Sequence, residues 1–380
     1  MTRFSSLWLR FPTSIRIGLF YGTLFLSSPS LADEPPSWKA ENAGAYLDER
    51  AKTWFEFSSA DRGEGASNTS CVSCHTMFTY ALARPVLRQI SRAMEPTEYE
   101  IKLLAQTKLR VRNWANLDSP TFGLMYDFNE QKKNESWGTE AVLNAVMLAF
   151  DDDRNGRKRP SEEAKQALAN LWQLQAATGD DKGSWDWLAF KLEPWESKDA
   201  RYFGAALGAI AVGTAPGYYK KGDHSAIDAK VDLLRGYLKS RFSERSLYNR
   251  AWGLMASLKL DGILTQEEQQ QVVHELFAKQ QTDGGWKLSS LGNYVRNDDT
   301  QQETKSDGYA TALVLHIIQS AGVNKDNAKV VQGLNWLRSN QSPTGAWQGV
   351  SVNKQRPPET HVGKFMSDAA TAYAILALSH

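Results

Sequence analysis

Two kinds of predicted helix alternate along this chain. In residues 265–281, polar side chains cover one face while Val272 and Leu276 fall on the opposite face, the pattern of an amphipathic surface helix. Residues 203–212 are apolar on every side and rich in glycine and alanine, so a helix there must be buried against close neighbours. No stretch shows a comparable alternation with a period of two residues. The pattern therefore predicts an all-α protein.

Amphipathic and apolar helices take turns, so the repeating unit is an outer helix, a turn and an inner helix. Six such pairs predict an (α/α)6 toroid of alternating outer and inner helices, formed by a single domain over residues 33–380. The predicted outer helices lie near 42–57, 97–115, 161–177, 226–242, 265–281 and 326–340. The predicted inner helices lie near 75–91, 137–150, 200–213, 246–259, 306–320 and 367–379.

A short motif recurs at matching places in this pattern. Residues 280–286 (QQTDGGW) and 341–347 (QSPTGAW) share the frame Q-x-x-x-G-x-W, and a looser copy with an insertion spans 175–185. Each copy follows an amphipathic helix and leads through a long loop into an apolar one. These copies resemble the QW motifs of squalene-hopene cyclases and of the wider terpenoid cyclase and protein prenyltransferase toroid superfamily, over most of the chain after residue 32.

The resemblance implies a structural role for the motif. In the family, the glutamine caps a helix end and the tryptophan packs over it, which fastens adjacent repeats. We expect the same of Gln280, Trp286, Gln341 and Trp347.

The chemistry of that superfamily is not supported by this sequence. Squalene-hopene cyclases protonate an alkene with a D-x-D-D-T motif; residues 151–154 (DDDR) are interpreted as a solvated turn, and 297–300 (NDDT) lie in a polar loop. Prenyltransferase zinc sites need a cysteine, and both cysteines here belong to another motif. Glu140, Asp307 and Asp368 begin inner helices and could face the cavity, but helix starts also favour carboxylates for structural reasons. We expect no squalene-cyclase-type turnover.

The N-terminal residues predict export. Residues 1–32 combine three arginines with an apolar stretch over 17–26 and a small-x-small site ending at Ala32, which is typical of a signal peptide cleaved near that residue. The apolar stretch is short and interrupted, which disfavours a permanent membrane span, although an uncleaved anchor stays an alternative. We therefore expect a periplasmic or secreted chain. A net charge of +1 without a basic block argues against nucleic acid as a partner.

The only two cysteines stand in Cys71-Val72-Ser73-Cys74-His75, the C-x-x-C-H spacing of covalent haem attachment. Each thiol can add to a haem vinyl group while the imidazole of His75 coordinates the iron. The hypothesis is a c-type haem held by Cys71, Cys74 and His75. A disulfide or a pair of free thiols are the alternatives, and zinc is disfavoured because a closed site needs four ligands.

The motif lies at the predicted start of the first inner helix. Inner helices of a toroid point the same way, so the haem is expected at the mouth of the central cavity, among long loops rich in tryptophan and tyrosine. The iron's second axial ligand is expected from His361, Met366 or Met125, or from water. His316 is expected to be a hydrogen-bonded core residue.

Two functional hypotheses follow. The first is an exported toroid that carries an iron-binding c-type haem, with a redox or electron-transfer role, a redox partner protein and an apolar, isoprenoid-like ligand. The alternative is a terpenoid-cyclase-like enzyme or lipid-binding protein without haem. A pure interaction scaffold would be a third class. The sequence leaves open whether the chain is an enzyme.

Overall fold

The structure is a computed structural model that describes residues 37–380 except 94, 223 and 224, and these form one compact unit. Within them, a short antiparallel pair, β1 (Asp61–Arg62) and β2 (Thr69–Ser70), precedes the second helix. The helices, in chain order, are α1 (Ala40–Phe55), α2 (Met77–Ile90), α3 (Glu98–Arg112), α4 (Glu130–Arg154), α5 (Glu162–Gln173), α6 (Arg201–Thr214), α7 (Ser225–Arg241), α8 (Leu247–Lys259), α9 (Gln266–Ala278), α10 (Gly308–Ser320), α11 (Ala328–Ser339) and α12 (Phe365–Leu378).

The even-numbered helices form a closed inner ring. Each packs against the next, from α2 through α4, α6, α8 and α10 to α12, and α12 packs back onto α2. The odd-numbered helices lie outside, each against an inner neighbour. The predicted (α/α)6 toroid is therefore confirmed. Among the described residues, no helix is both long and apolar enough to cross a membrane.

The three Q-x-x-x-G-x-W copies join consecutive outer helices. Gln280 donates from Nε2 to the carbonyl of Gly284 at 2.8 Å and to that of Lys329, in the first turn of α11, also at 2.8 Å. The looser copy does the same: Gln175 donates to Lys230 in α7 at 2.9 Å. The predicted structural role of the glutamines is confirmed.

The last copy closes the ring. Gln341 donates to the carbonyl of Lys39 at 3.0 Å and accepts from its backbone N–H at 2.7 Å, although 302 residues separate the two. Gly345 needs a φ of +91°, and a Cβ there would lie 2.1 Å from the carbonyl oxygen of Asn42, so only glycine fits against α1. The first and last repeats are therefore fastened by the same device as their neighbours.

The tryptophans of the motif are buried anchors. Trp286 and Trp347 are fully buried, and their indole N–H groups donate to Leu276 at 2.7 Å and to Leu337 at 2.8 Å, the outer-helix carbonyls just before each motif. Each side chain thus contributes apolar contact with no unpaired polar atom.

Two predictions about α4 differ from the structure. Helix α4 begins at Glu130, because Asn129 caps it by accepting from the backbone N–H of Lys132 at 2.9 Å, so Trp137 lies two turns inside the helix rather than at its start. The interpretation of 151–154 as a solvated turn is wrong: these residues end α4, and Asp152 is buried and accepts from Ser161. The predicted signal peptide, residues 1–32, lies outside the described residues.

Candidate functional site

Residues 71–75, the C-x-x-C-H motif, lie between β2 and α2. The indole of Trp54 in α1 donates to the carbonyl of the first cysteine at 2.8 Å. The hydroxyl of Ser73 accepts from the backbone N–H groups of Thr76 at 3.1 Å and Met77 at 3.2 Å. Residues 74–76 therefore form a capped turn, and the helix proper starts one residue later, at Met77, instead of at the motif itself.

Both cysteines carry free thiols, with Cys71 partly exposed and Cys74 buried. Burial raises the pKa of the Cys71 thiol to about 11 and raises that of Cys74 well above its usual value. The Glu196 carboxylate adds to both shifts. The sulfur atoms are therefore neutral thiols near pH 7.

A chain of hydrogen bonds fixes the tautomer of His75. Its Nδ1 lies 2.7 Å from the hydroxyl oxygen of Thr76, and that hydroxyl donates to Asp368 Oδ2, also at 2.7 Å. Because the hydroxyl hydrogen is already used, the Thr76 oxygen must accept from Nδ1–H of His75. The proton therefore sits on Nδ1, and Nε2 carries the free lone pair.

The same imidazole is neutral. Burial lowers the pKa of His75 well below its usual range, and the positive charge of Arg50 adds to that effect. A neutral imidazole whose second nitrogen donates into a carboxylate-linked chain is the arrangement that metal-ligating histidines adopt.

Asp368 anchors this chain from the first turn of α12. Its two oxygens accept from Tyr46 at 2.9 Å, from Thr76, and twice from Arg50 of α1, at 2.7 and 2.9 Å. Burial raises the pKa of Asp368, and the Arg50 guanidinium counteracts that rise. Four donors fit the carboxylate form, so Asp368 joins the seam between α1, α2 and α12 and does not face a cavity as a free acid.

The other two carboxylates expected at helix starts are also held by structure, although Glu140 lies inside α4 because that helix begins at Glu130. Glu140 forms a buried ion pair with Arg110 of α3 at 2.5 Å. Asp307 caps α10 by accepting from Ala310 at 2.9 Å and accepts from the backbone N–H of Leu288 at 2.7 Å; burial raises its pKa to about 6. These contacts give each carboxylate a structural role.

The structure brings His361 close to His75. Both rings contact the same two aromatic side chains: His75 stacks on Phe365 at a centroid distance of 3.8 Å and meets Trp54 edge-on at 5.4 Å, while His361 lies 5.1 Å from Phe365 and 6.0 Å from Trp54. Nδ1 of His361 lies 3.2 Å from Nη1 of Arg50. Its Nε2 is buried and has no hydrogen-bond partner among the described residues.

The remaining predicted residues differ in their surroundings. Met366 and Met125 are 6% and 5% exposed and pack in the hydrophobic core. This packing is enough to explain a methionine at each position. His316 is partly exposed, and its Nδ1 lies 3.1 Å from Nε2 of His380. In the part of the chain described, no group of three or more His, Cys, Asp or Glu side chains is placed to hold a bare metal ion.

Sequence reasoning missed Glu196. Burial raises its pKa to about 7, with Lys132 opposing the shift, and its charge acts on both thiols. The residue follows Trp195, whose ring lies 6.0 Å from His75, in the loop between α5 and α6. The sequence around Glu196 does not distinguish it from other loop carboxylates. Its loop comes close to the C-x-x-C-H motif only in the folded protein.

Comparison with known proteins finds a similarity in the C-terminal part of the chain. Residues 237–379 match the family model of the squalene-hopene cyclase C-terminal domain. No curated protein sequence matches the chain.

Solved structures with similar folds include ent-copalyl diphosphate synthase from Streptomyces platensis (16% identity, TM-score 0.46), of which the chain spans half the length while 80% of this chain is covered. They also include the type II terpene cyclase MstE from Scytonema, as a variant in complex with geranylgeranyl dihydroxybenzoate (14% identity, 90% and 99% coverage, TM-score 0.47). A glycosidase in complex with glucose is a further example (11% identity, 90% and 97% coverage, TM-score 0.48).

Relatives this distant leave reaction and substrate to be argued from the chain's own residues. The chain is thus an all-α (α/α)6 toroid whose residues 237–379 are similar to the squalene-hopene cyclase C-terminal domain.

Proposed function

We propose that this toroid carries a c-type haem, attached through Cys71 and Cys74 and coordinated by His75. The observation that supports the proposal most is the hydrogen-bond chain from Asp368 through Thr76, which leaves Nε2 of a neutral His75 with a free lone pair beside two free thiols. A haem bound here supplies one-electron chemistry at its iron.

The cysteines and the histidine of the motif have separate roles in the proposed site. Cys71 and Cys74 would hold the haem through thioether bonds, each formed if the S–H adds across one vinyl group and its hydrogen goes to the other vinyl carbon. His75 would bind the iron through its Nε2 lone pair, and Asp368 holds the ring through Thr76. The rings of Trp54, Phe365 and Trp195 pack around the imidazole.

The proposal includes export, because residues 1–32 resemble a signal peptide. It also includes a redox partner protein. The aromatic side chains Tyr126 and Phe190, whose ring centroids are 4.8 Å apart, stand beside Phe128, which is 66% exposed, and this surface suits such a partner.

The test is expression in cells that attach haem c. The expected product keeps its haem after denaturation, has the polypeptide mass plus one haem, and shows the reduced α band of thioether-linked haem. Loss of both thiols in Cys71→Ala/Cys74→Ala should abolish covalent retention, whereas His75→Ala should keep the haem and change its spectrum. A folded, colourless wild-type protein with the mass of the bare polypeptide would rule the proposal out.

A second candidate is a terpenoid-cyclase-like enzyme or lipid-binding protein without haem, and the family match favours it in kind. It is also favoured by an apolar cavity of about 220 Å³ towards the C-terminal ends of the inner helices. All six inner helices contribute to its lining, among others through Phe78, Val146, Leu207, Met255, His316 and Leu376.

The second candidate is tested with squalene and shorter polyprenyl compounds. Binding that is lost on filling the cavity with Leu207→Trp, and kept in the surface control Ile101→Trp, would support it. Cyclised product formed equally well without Cys71 and Cys74 would rank it above the haem proposal. No binding by any of these compounds would count against it.

A further inference from the structure

Two imidazoles lie against the same aromatic pair, Trp54 and Phe365, and their hydrogen bonds put the proton on different nitrogens. His75 faces an acceptor at Nδ1, as described above, so its Nε2 is free to bind a metal. His361 faces a donor at Nδ1, because a guanidinium has N–H groups and no acceptor. Its Nδ1 must therefore be the unprotonated nitrogen.

Arg50 cannot turn away from His361. Its Nε and Nη2 are held by Asp368, and Nη2 also donates to the backbone carbonyl of His361 at 3.1 Å, so the guanidinium is fixed on both sides. Because Nδ1 accepts from this fixed guanidinium, the single N–H of the ring lies on Nε2.

A buried Nε2–H without a partner costs free energy, so the group is expected to meet an acceptor when the site is in use. Iron coordination through Nε2 would instead require removing that proton while Arg50 still donates to Nδ1. Metal-ligating histidines have the reverse arrangement, with the second nitrogen donating to an acceptor.

We infer that His361 is not the second axial ligand of the iron but a fixed Nε2–H donor, positioned by Arg50, to a small oxygen-bearing or anionic ligand bound at an iron whose sixth position is open. The inference rests on the haem proposal above. It assigns the two histidines opposite tasks: His75 binds the iron, and His361 hydrogen-bonds to what the iron binds.

The tautomers are measured first, without haem. In uniformly 15N-labelled protein, long-range 1H–15N correlations should show the Nδ1–H pattern for His75 and the Nε2–H pattern for His361. Thr76→Val should disturb the His75 pattern and leave that of His361 unchanged. An Nδ1–H pattern for His361 would overturn the inference.

The iron is then probed in holo-protein with carbon monoxide and fluoride. Wild-type ferrous protein should bind carbon monoxide without displacing a protein ligand, and ferric protein should bind fluoride. His361→Leu should weaken fluoride binding about tenfold, equivalent to about 1.4 kcal/mol, with no change in the ligation of the unliganded iron. His316→Leu, a histidine change at a different contact, should leave fluoride affinity unchanged.

Two spectroscopic or mass results would contradict these expectations. A six-coordinate low-spin wild-type spectrum that becomes high-spin in His361→Leu would make His361 an iron ligand and overturn the inference. Protein of bare polypeptide mass would instead defeat the haem proposal, and the role of His361 toward iron with it. The 15N result, read from haem-free protein, tells these two failures apart.

Discussion

Single side chains at this site take their properties from contacts across the chain. His75 and His361 are both half-buried and both contact Trp54, yet the hydroxyl of Thr76 and the guanidinium of Arg50 give them opposite tautomers. The sequence could indicate a haem-attachment site because the C-x-x-C-H motif consists of residues that are close together in the chain. It could not predict the tautomers, because Arg50 belongs to α1 and the hydroxyl of Thr76 is oriented by Asp368 of α12.

The raised pKa of Glu196 can be tested through the pH dependence of protein stability. Its pKa of about 7 in the folded protein exceeds its ordinary value of 4.5, so the folded state binds more protons than the unfolded state between those pH values. The free energy of unfolding should therefore fall as pH rises from 4.5 to 7 and then level off. Glu196→Gln removes this effect, and we expect it to stabilise the protein by about 1–2 kcal/mol at pH 8, allowing for solvent screening.

Urea unfolding at pH 4, 6 and 8 measures the effect. The exposed loop variant Glu359→Gln serves as the matched control and should follow the wild type. A constant difference between Glu196→Gln and wild type at all three pH values would contradict the assignment.

At the scale of helices, buried ion pairs tie inner helices to outer helices. Arg110 of α3 pairs with Glu140 of α4 and also donates to the carbonyls of Phe122 at 3.1 Å and Gly123 at 2.9 Å, which fixes the loop before α4. Arg50 of α1 and Asp368 of α12 form a second buried ion pair of the same kind. Such pairs are costly to break singly because the remaining charge stays buried.

Removing one partner should show this cost. Glu140→Leu alone is expected to lower the free energy of unfolding by about 3–5 kcal/mol, since it leaves the Arg110 guanidinium uncompensated. Arg110→Met combined with Glu140→Leu should recover much of that loss. A double variant as unstable as the sum of the two single variants, in chemical unfolding, would argue against the ion pair as the cause.

A second helix-scale feature is the proline in α2. Pro85 has no N–H for the carbonyl of Ala81, and Arg154 at the end of α4 supplies the missing donor at 3.0 Å and also donates to Leu82. Arg154→Met should cost about 1–3 kcal/mol of stability. Pro85→Ala restores a backbone donor and should reduce that cost when combined with it, a coupling that a double-mutant cycle measures directly. Independent effects of the two changes would refute the compensation.

At the scale of the whole molecule, the ring depends on one seam. Gln341 joins Lys39 as Gln280 joins Lys329, but only the former connects the two ends of the fold. Gln341→Ala and Gln280→Ala should each cost about 1–2 kcal/mol, because each change removes at least two side-chain hydrogen bonds. Hydrogen exchange should separate them: faster exchange in α1 and α12 for the former, and in α9 and α11 for the latter. The same exchange map in both variants would contradict a distinct seam.

The architecture was predictable because periodicity and the repeated Q-x-x-x-G-x-W frame are local signals. Their agreement over six helix pairs leaves few alternatives to a toroid. The early start of α4 escaped prediction because residues 130–136 (EQKKNES) are polar, and the cap at Asn129 outweighs that pattern. Asp152 escaped because the buried environment of a helix end depends on Ser161 and Arg157, which follow in the next loop.

The seam between the first and last repeats also has a thermodynamic consequence. Arg50, Thr76 and Asp368 meet only when α1, α2 and α12 are together, so the histidine pair exists only in the closed ring. Any molecule that binds there binds the closed ring in preference to the open chain, and its binding free energy adds to the stability of the whole toroid. Occupancy of the site and integrity of the ring are therefore linked functions, and a ligand present at 100 times its dissociation constant would raise the free energy of unfolding by about 2.7 kcal/mol.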